Sequence, residues 1–145
     1  MRPKTIELIR IAKQIRKAIK PFYSFALFVN KQIDNASPYT DTVNLIYDLV
    51  SSFDDAKDQL MSAFGLEKVR YEIQVSRIEP NKVVKEITNH TLNLIKMADR
   101  ILAKTNGKPI KSPTRDDLLN TYLNIEEHIV LLIVWCNSYL NHIYN

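Results

Sequence analysis

Glycine is the residue this chain does most without. Two glycines in 145 residues stand far below an ordinary usage of about 7%. Folds rich in β-hairpins place glycine at turns and bulges, so its scarcity points to long helices with few connections. It also leaves nothing from which to build a glycine-rich phosphate loop or a Gly-x-Ser-x-Gly nucleophile turn. Cysteine is nearly absent too. Cys136 stands alone, which excludes an internal disulfide and gives no support to a secreted framework. Long apolar runs are missing: the longest uncharged one, His128 to Trp135, is far too short to cross a bilayer. The opening MRPKTIELIR is basic, but charge recurs every three or four residues through the rest of the first helix-like stretch, unlike the uncharged core of a signal peptide. These absences together predict a soluble, cytoplasmic protein that makes no use of a membrane.

What is present is ordinary for a globular chain: 46% apolar and 25% charged residues. The length suits one domain over residues 1–145, long enough to bury roughly two-thirds of the unfolded surface. Apolar residues recur at helical spacing in four stretches. In the first, Leu8, Ile11, Ala12, Ile15, Ala18 and Ile19 form a stripe. Pro21 is expected to end or kink that helix at Lys20. The apolar Phe22–Val29 segment then reads as a buried continuation, and Asn30 to Ser37 as a loop. A second helix is expected from Ser37-Pro38, with Val43, Ile46, Leu49, Val50, Phe53, Leu60 and Phe64 inward and Gly65 as its C-terminal stop.

A third helix is expected from Pro80 to about Lys104, burying Val83, Val84, Ile87, Leu94, Ala98, Ile101 and Leu102. The last opens at Thr114, three residues before Asp117, a capping-box spacing with Asp in place of the usual Glu or Gln. Its His128–Trp135 segment is apolar on every face, the pattern of a helix at the centre of a bundle. Between the second and third helices, Val69, Tyr71, Ile73 and Val75 alternate with polar residues. That period suits a half-buried strand, and a short helix followed by an extended linker suits the segment equally. The fold expected is therefore mainly α, a four-helix-bundle-like single domain with a short extended or β excursion near residues 68–76.

Charge is arranged in blocks of alternating sign. Residues 1–30 hold Arg2, Lys4, Arg10, Lys13, Arg16, Lys17 and Lys20 against Glu7 alone. Residues 31–65 hold Lys31 and Lys57 against Asp34, Asp41, Asp48, Asp54, Asp55 and Asp58. Residues 66–115 are basic again, and beyond Arg115 no Lys or Arg occurs. Net charge speaks to partners, not to fold. Because each block coincides with an amphipathic helix, the charges occupy rigid positions.

Few residues invite chemistry. His90, His128, His142 and Cys136 are the strong soft-metal ligands, and no two lie closer than six residues in sequence. Zinc sites ordinarily show close pairs, so no metal site and no cofactor are expected. Glu126-Glu127-His128 lacks the Glu-x-x-His spacing of a di-metal bundle. Asp54-Asp55 and Asp116-Asp117 are adjacent, so on a helix they diverge by about 100° and cannot share a proton. Asn137-Ser-Tyr-Leu-Asn-His142-Ile-Tyr144 resembles the end of the active motif of HEPN-type helical ribonucleases, in which an arginine, a polar residue and a histidine followed by tyrosine line a groove. The resemblance covers eight residues, and Asn137 stands where that arginine would hold a phosphate. No catalysis is expected.

The functional signal is the basic clusters. Phosphate backbones are held by grouped Lys and Arg whose contacts release counterions. Arg10, Lys13, Lys17 and Lys20 on the first helix form one group, and Lys85, Lys96, Arg100, Lys104, Lys108 and Lys111 form the other. Tyr23 and Tyr71 offer stacking surface. No helix-turn-helix, zinc finger or RNP sequence accompanies them. The expectation is a non-enzymatic basic helical protein that binds nucleic acid, or an acidic protein partner, through charged helix faces. It would work as a subunit of a larger viral, mobile-element or ribonucleoprotein assembly. The alternative is a self-assembling interaction module in which the acidic surface of one copy docks on the basic face of another. If the two basic helices sit side by side they make a binding face; if each sits beside an acidic neighbour, the charge blocks mostly hold the protein to itself.

Overall fold

The computed structural model describes residues 3–35, 39–66, 78–103 and 113–144, leaving aside a few side chains at the helix ends, among them all from residue 140 onward. Four helices account for nearly all of it: α1 (Pro3–Asn35), α2 (Tyr39–Phe64), α3 (Pro80–Leu102) and α4 (Arg115–Tyr144). The described residues contain no strand. The segment near 68–76, expected to be extended or β, lies outside the described residues.

The helices form a four-cornered bundle. α1 packs most extensively on α3 and then on α2, while α4 packs on α3 and over a smaller area on α2. Ion pairs fix the directions. Arg16–Asp99 and Lys85–Asp34 run α3 antiparallel to α1, and Lys57–Glu126 with the Tyr47–Asn137 hydrogen bond runs α4 antiparallel to α2. Arg115 sits 4.0 Å from Glu7 and donates to the Phe64 carbonyl at the end of α2. The starts of α1 and α4 therefore meet the end of α2. α2 and α3 run in the same direction, so each of the two hairpins, α1–α2 and α3–α4, is antiparallel within itself.

Each helix buries one stripe. On α1 it is Ile11, Ile15, Ile19, Phe22, Ala26, Val29 and Ile33, unbroken at spacings of three and four. This overturns the expected break at Lys20. Pro21 lies inside α1 with its ring on the exposed side. It removes the bond to the Lys17 carbonyl, an interruption that costs about 3 kcal/mol in an unsupported helix. Four further buried residues on the same stripe outweigh that cost, as tertiary packing commonly outweighs propensity. The expected loop from Asn30 is corrected for the same reason: Ile33 takes the next buried step and α1 continues to Asn35.

The helix ends obey local rules. Gly65 has φ +68° and donates to the Ser62 carbonyl at 3.2 Å, while Leu66 donates to Met61 at 2.9 Å. That pair of bonds is the Schellman arrangement, which needs a left-handed residue. At the start of α4 the box closes in both directions. The Asp117 amide donates to Thr114 Oγ1 at 3.2 Å and the Thr114 amide to Asp117 Oδ2 at 2.9 Å, so aspartate serves where Glu or Gln is usual. The start expected for α2 at Ser37-Pro38 lies outside the described residues.

The core is held at its middle by an aromatic chain crossing three helices. Phe22 of α1 lies 5.3 Å from Phe53 of α2, Phe53 lies 6.3 Å from Tyr122 of α4, and Tyr122 stacks 5.4 Å from Phe64. On α3 two threonines enter the core, and each hydroxyl donates to a carbonyl of its own helix, Thr88 to Val84 and Thr91 to Ile87. That satisfies their polarity without a partner across the seam. α4 is not central, contrary to the reading of His128–Trp135. It occupies the corner opposite α1 and buries Leu118, Tyr122, Ile125, Ile129, Leu132 and Cys136, leaving Val130, Leu131, Val134 and Trp135 half-buried. No described helix is long and apolar enough to cross a membrane.

Cys136 is fully buried, and burial pushes its thiol from an ordinary 9.0 up to about 11, because a thiolate there loses its hydration. The folded state thus favours the thiol. Its contribution is intact below pH 9 and is lost as pH rises towards 11. At pH 10 the fold should be about 1.4 kcal/mol less stable on this account. Urea unfolding at pH 8 and pH 10 should show that extra drop in the natural chain and not in Cys136→Ala; equal drops would refute it.

Candidate nucleic-acid interface

The two basic helices stand side by side. α1 and α3 share the largest interface in the bundle, and their antiparallel register is pinned by Arg16–Asp99 at 3.0 Å and Lys85–Asp34 at 4.0 Å. Because each helix turns its apolar stripe inward, the opposite faces form one outer wall.

On α1 the wall carries Arg10, Lys13, Lys17 and Lys20, all exposed. Arg10 donates to Gln14 at 3.3 Å. Lys13, Lys17 and Lys20 form no ion pair with any described carboxylate. On α3, Lys96 is exposed and equally free of described carboxylates, whereas Lys85 is tied to Asp34. Arg100 is exposed in the last turn of α3. Lys104, Lys108 and Lys111 lie outside the described residues, as does Tyr71. Tyr23 is half-buried, which limits it as a stacking surface.

Two wall residues escape a reading of sequence alone. Lys31 is exposed three turns beyond Lys20 on the same side of α1. The expectation that the helix stops at Asn30 hides it. Phe28 is 51% exposed and precedes Lys31 by three residues, so it shares that side of the helix. The periodicity running through Pro21 is the signal that would have revealed both.

Charge of the opposite sign gathers on α2 and α4, with Asp55 turned to the α1 side and Asp34 and Asp99 on the α1–α3 seam itself. Asp41, Asp48, Asp54, Asp55 and Asp58 are exposed on α2, as are Asp116, Asp117 and Glu127 on α4. Glu126 is the exception, buried and 3.5 Å from Lys57. Between α1 and α2 an open cleft of about 440 Å³ brings Lys17 and Asp55 to the rim above Phe22, Phe25 and Ala56. Asn137, in the string that resembles the HEPN motif, is exposed and accepts a hydrogen bond from the Tyr47 hydroxyl at 3.4 Å. The His142 side chain lies outside the described ones. Away from the wall, the α3–α4 seam brings together Glu86, His90 and His128, groups separated in sequence.

No protein-family model matches the chain, and no curated protein and no solved structure matches it.

Proposed function

We propose that the α1–α3 wall binds the phosphate backbone of nucleic acid, without sequence readout and without catalysis, as one component of a larger assembly. The observation that carries this is the adjacency of the two basic helices. Five lysines on that wall (Lys13, Lys17, Lys20, Lys31 and Lys96) form no ion pair with a described carboxylate, so their charge is available to an external anion. From Lys13 to Lys31 the row extends about 27 Å along α1, room for several successive phosphates of a strand. Phe28 beside Lys31 supports contact with single strands, whose bases stack on exposed rings.

Filter binding over a salt series tests this. Five contacts give a slope of log K against log salt of about −4.5 on duplex and about −3.5 on single strands. Duplex affinity should thus fall several-hundred-fold between about 50 and 200 mM salt. The RNA should be recovered intact. Absence of binding at about 50 mM salt would remove the proposal.

A second reading rests on the acidic wall of α2 and α4 across the bundle. Stacked basic-on-acidic, copies would associate head to tail in an arrangement that does not close. Light scattering separates the two. A mass that grows with protein concentration and collapses with salt belongs to stacking. A particle that changes only when nucleic acid is added belongs to the wall.

A further inference from the structure

The α3–α4 seam carries a group of side chains with a chemistry unlike the wall's. Glu86 and His90 stand four residues apart on α3, one turn on one face, and His128 faces them from α4. One ligand atom from each lies within 4.8 Å of the other two. His90 Nε2 is 3.4 Å from Glu86 Oε2, and the two imidazole centroids are 5.4 Å apart at 48°. In a tetrahedral site with bonds of about 2.05 Å, neighbouring ligand atoms are about 3.4 Å apart. His90 Nε2 and Glu86 Oε2 already stand at that separation, and the three ligand atoms span no more than 4.8 Å.

The orientation of His128 is an independent observation. Its Nδ1 lies 2.7 Å from the Asn124 carbonyl oxygen. A carbonyl only accepts, so Nδ1 donates, and in the neutral ring the lone pair lies on Nε2. Metal-bound histidines are commonly fixed this way, the second nitrogen donating to a backbone carbonyl. His90 is 23% exposed and Glu86 53%, so an ion has an open path from solvent.

We propose that Glu86, His90 and His128 bind a divalent first-row transition ion, with Zn²⁺ the best match to two imidazoles and one carboxylate. Three protein ligands leave the fourth position to water. The ion bridges α3 to α4, adding a tie across their seam. Sequence spacing conceals the site because the third ligand arrives from another helix, 38 positions beyond His90.

The test is a titration of the whole protein with ZnCl₂ against a chromophoric chelator, paired with thermal unfolding. One ion per chain should bind, and at a hundredfold excess over Kd the Tm should rise by roughly 6–10 °C. His90→Gln, His128→Gln and Glu86→Gln should each weaken binding at least tenfold and, at the same Zn²⁺ concentration, remove half or more of the Tm rise. His142→Gln should change neither. The three site residues are at least partly exposed, so the variants should melt like the natural chain without metal. Co²⁺ in place of Zn²⁺ should give visible bands from a protein-bound ion, and His90→Gln should remove them. Absence of saturable binding below about 0.1 mM Zn²⁺, or binding that survives both His90→Gln and His128→Gln, overturns the site.

Discussion

Phe53→Ala should destabilise the protein by about 4 kcal/mol and lower its Tm by roughly 10 °C. Phe53 is 1% exposed and joins three helices, meeting Phe22 of α1 and Tyr122 of α4. Truncation there removes a ring that the surroundings cannot replace, because its neighbours are rigid aromatics anchored on separate helices. The loss sums a transfer term, a cavity term and two ring pairs worth about 0.5–1.5 kcal/mol each. Phe53→Leu keeps most of the volume and should cost less than half as much. Urea unfolding at neutral pH reads both, with the slope against urea unchanged if only stability has moved. A loss below about 1 kcal/mol for the alanine variant would mean that the ring does not sit at this junction.

The other large effect concerns binding. Replacing Lys13, Lys17, Lys20 and Lys96 together by Gln should lower duplex affinity by three to four orders of magnitude at about 0.1 M salt. The figure comes from counterion release: one lost contact removes about 0.9 from the salt slope, close to eightfold at that salt concentration. The slope itself should fall from about −4.5 to about −1. All four side chains are exposed and unpaired with described carboxylates, so stability should change by less than about 0.5 kcal/mol. Asp54→Asn with Asp58→Asn, on the opposite wall, should leave affinity within a factor of two or so, because those charges lie across the bundle from the phosphates. Unchanged affinity in the lysine variant would place the nucleic acid elsewhere or nowhere.

Much of the architecture is readable from spacing alone. The stripes of α1, α2 and α3 are the core, with Leu8, Val50 and Leu102 half-buried at their margins. Gly65 and the Thr114/Asp117 box mark two helix ends because their conformations depend on neighbours within five residues. Failures arise where distant contacts outweigh local preference. Pro21 is a strong breaker, yet Phe22, Ala26, Val29 and Ile33 are held against α3 and α2 and carry the helix past it. His128–Trp135 reads as central because apolarity on every face is ambiguous between a surrounded helix and a corner helix with half-covered flanks. The wall is half legible: sequence supplies the lysines, but only packing puts α1 beside α3. The Glu86–His90–His128 cluster is invisible in sequence, since no local pattern encodes a meeting of two helices.

The seam between α1 and α3 has a consequence for the order of assembly. The pairs α1–α2 and α3–α4 are each close in sequence and can form early, whereas α1 meets α3 only when the two hairpins dock, a contact of long sequence separation. The wall is therefore owned by neither half. A hairpin on its own carries a single basic row, and the double row comes into being with the completed fold. If the wall binds a polyanion as proposed, the docked form offers contacts on α3 besides those on α1, so the ligand favours docking by mass action. Such a ligand would act as a last strap around the molecule, one that an undocked chain engages through the α1 row alone.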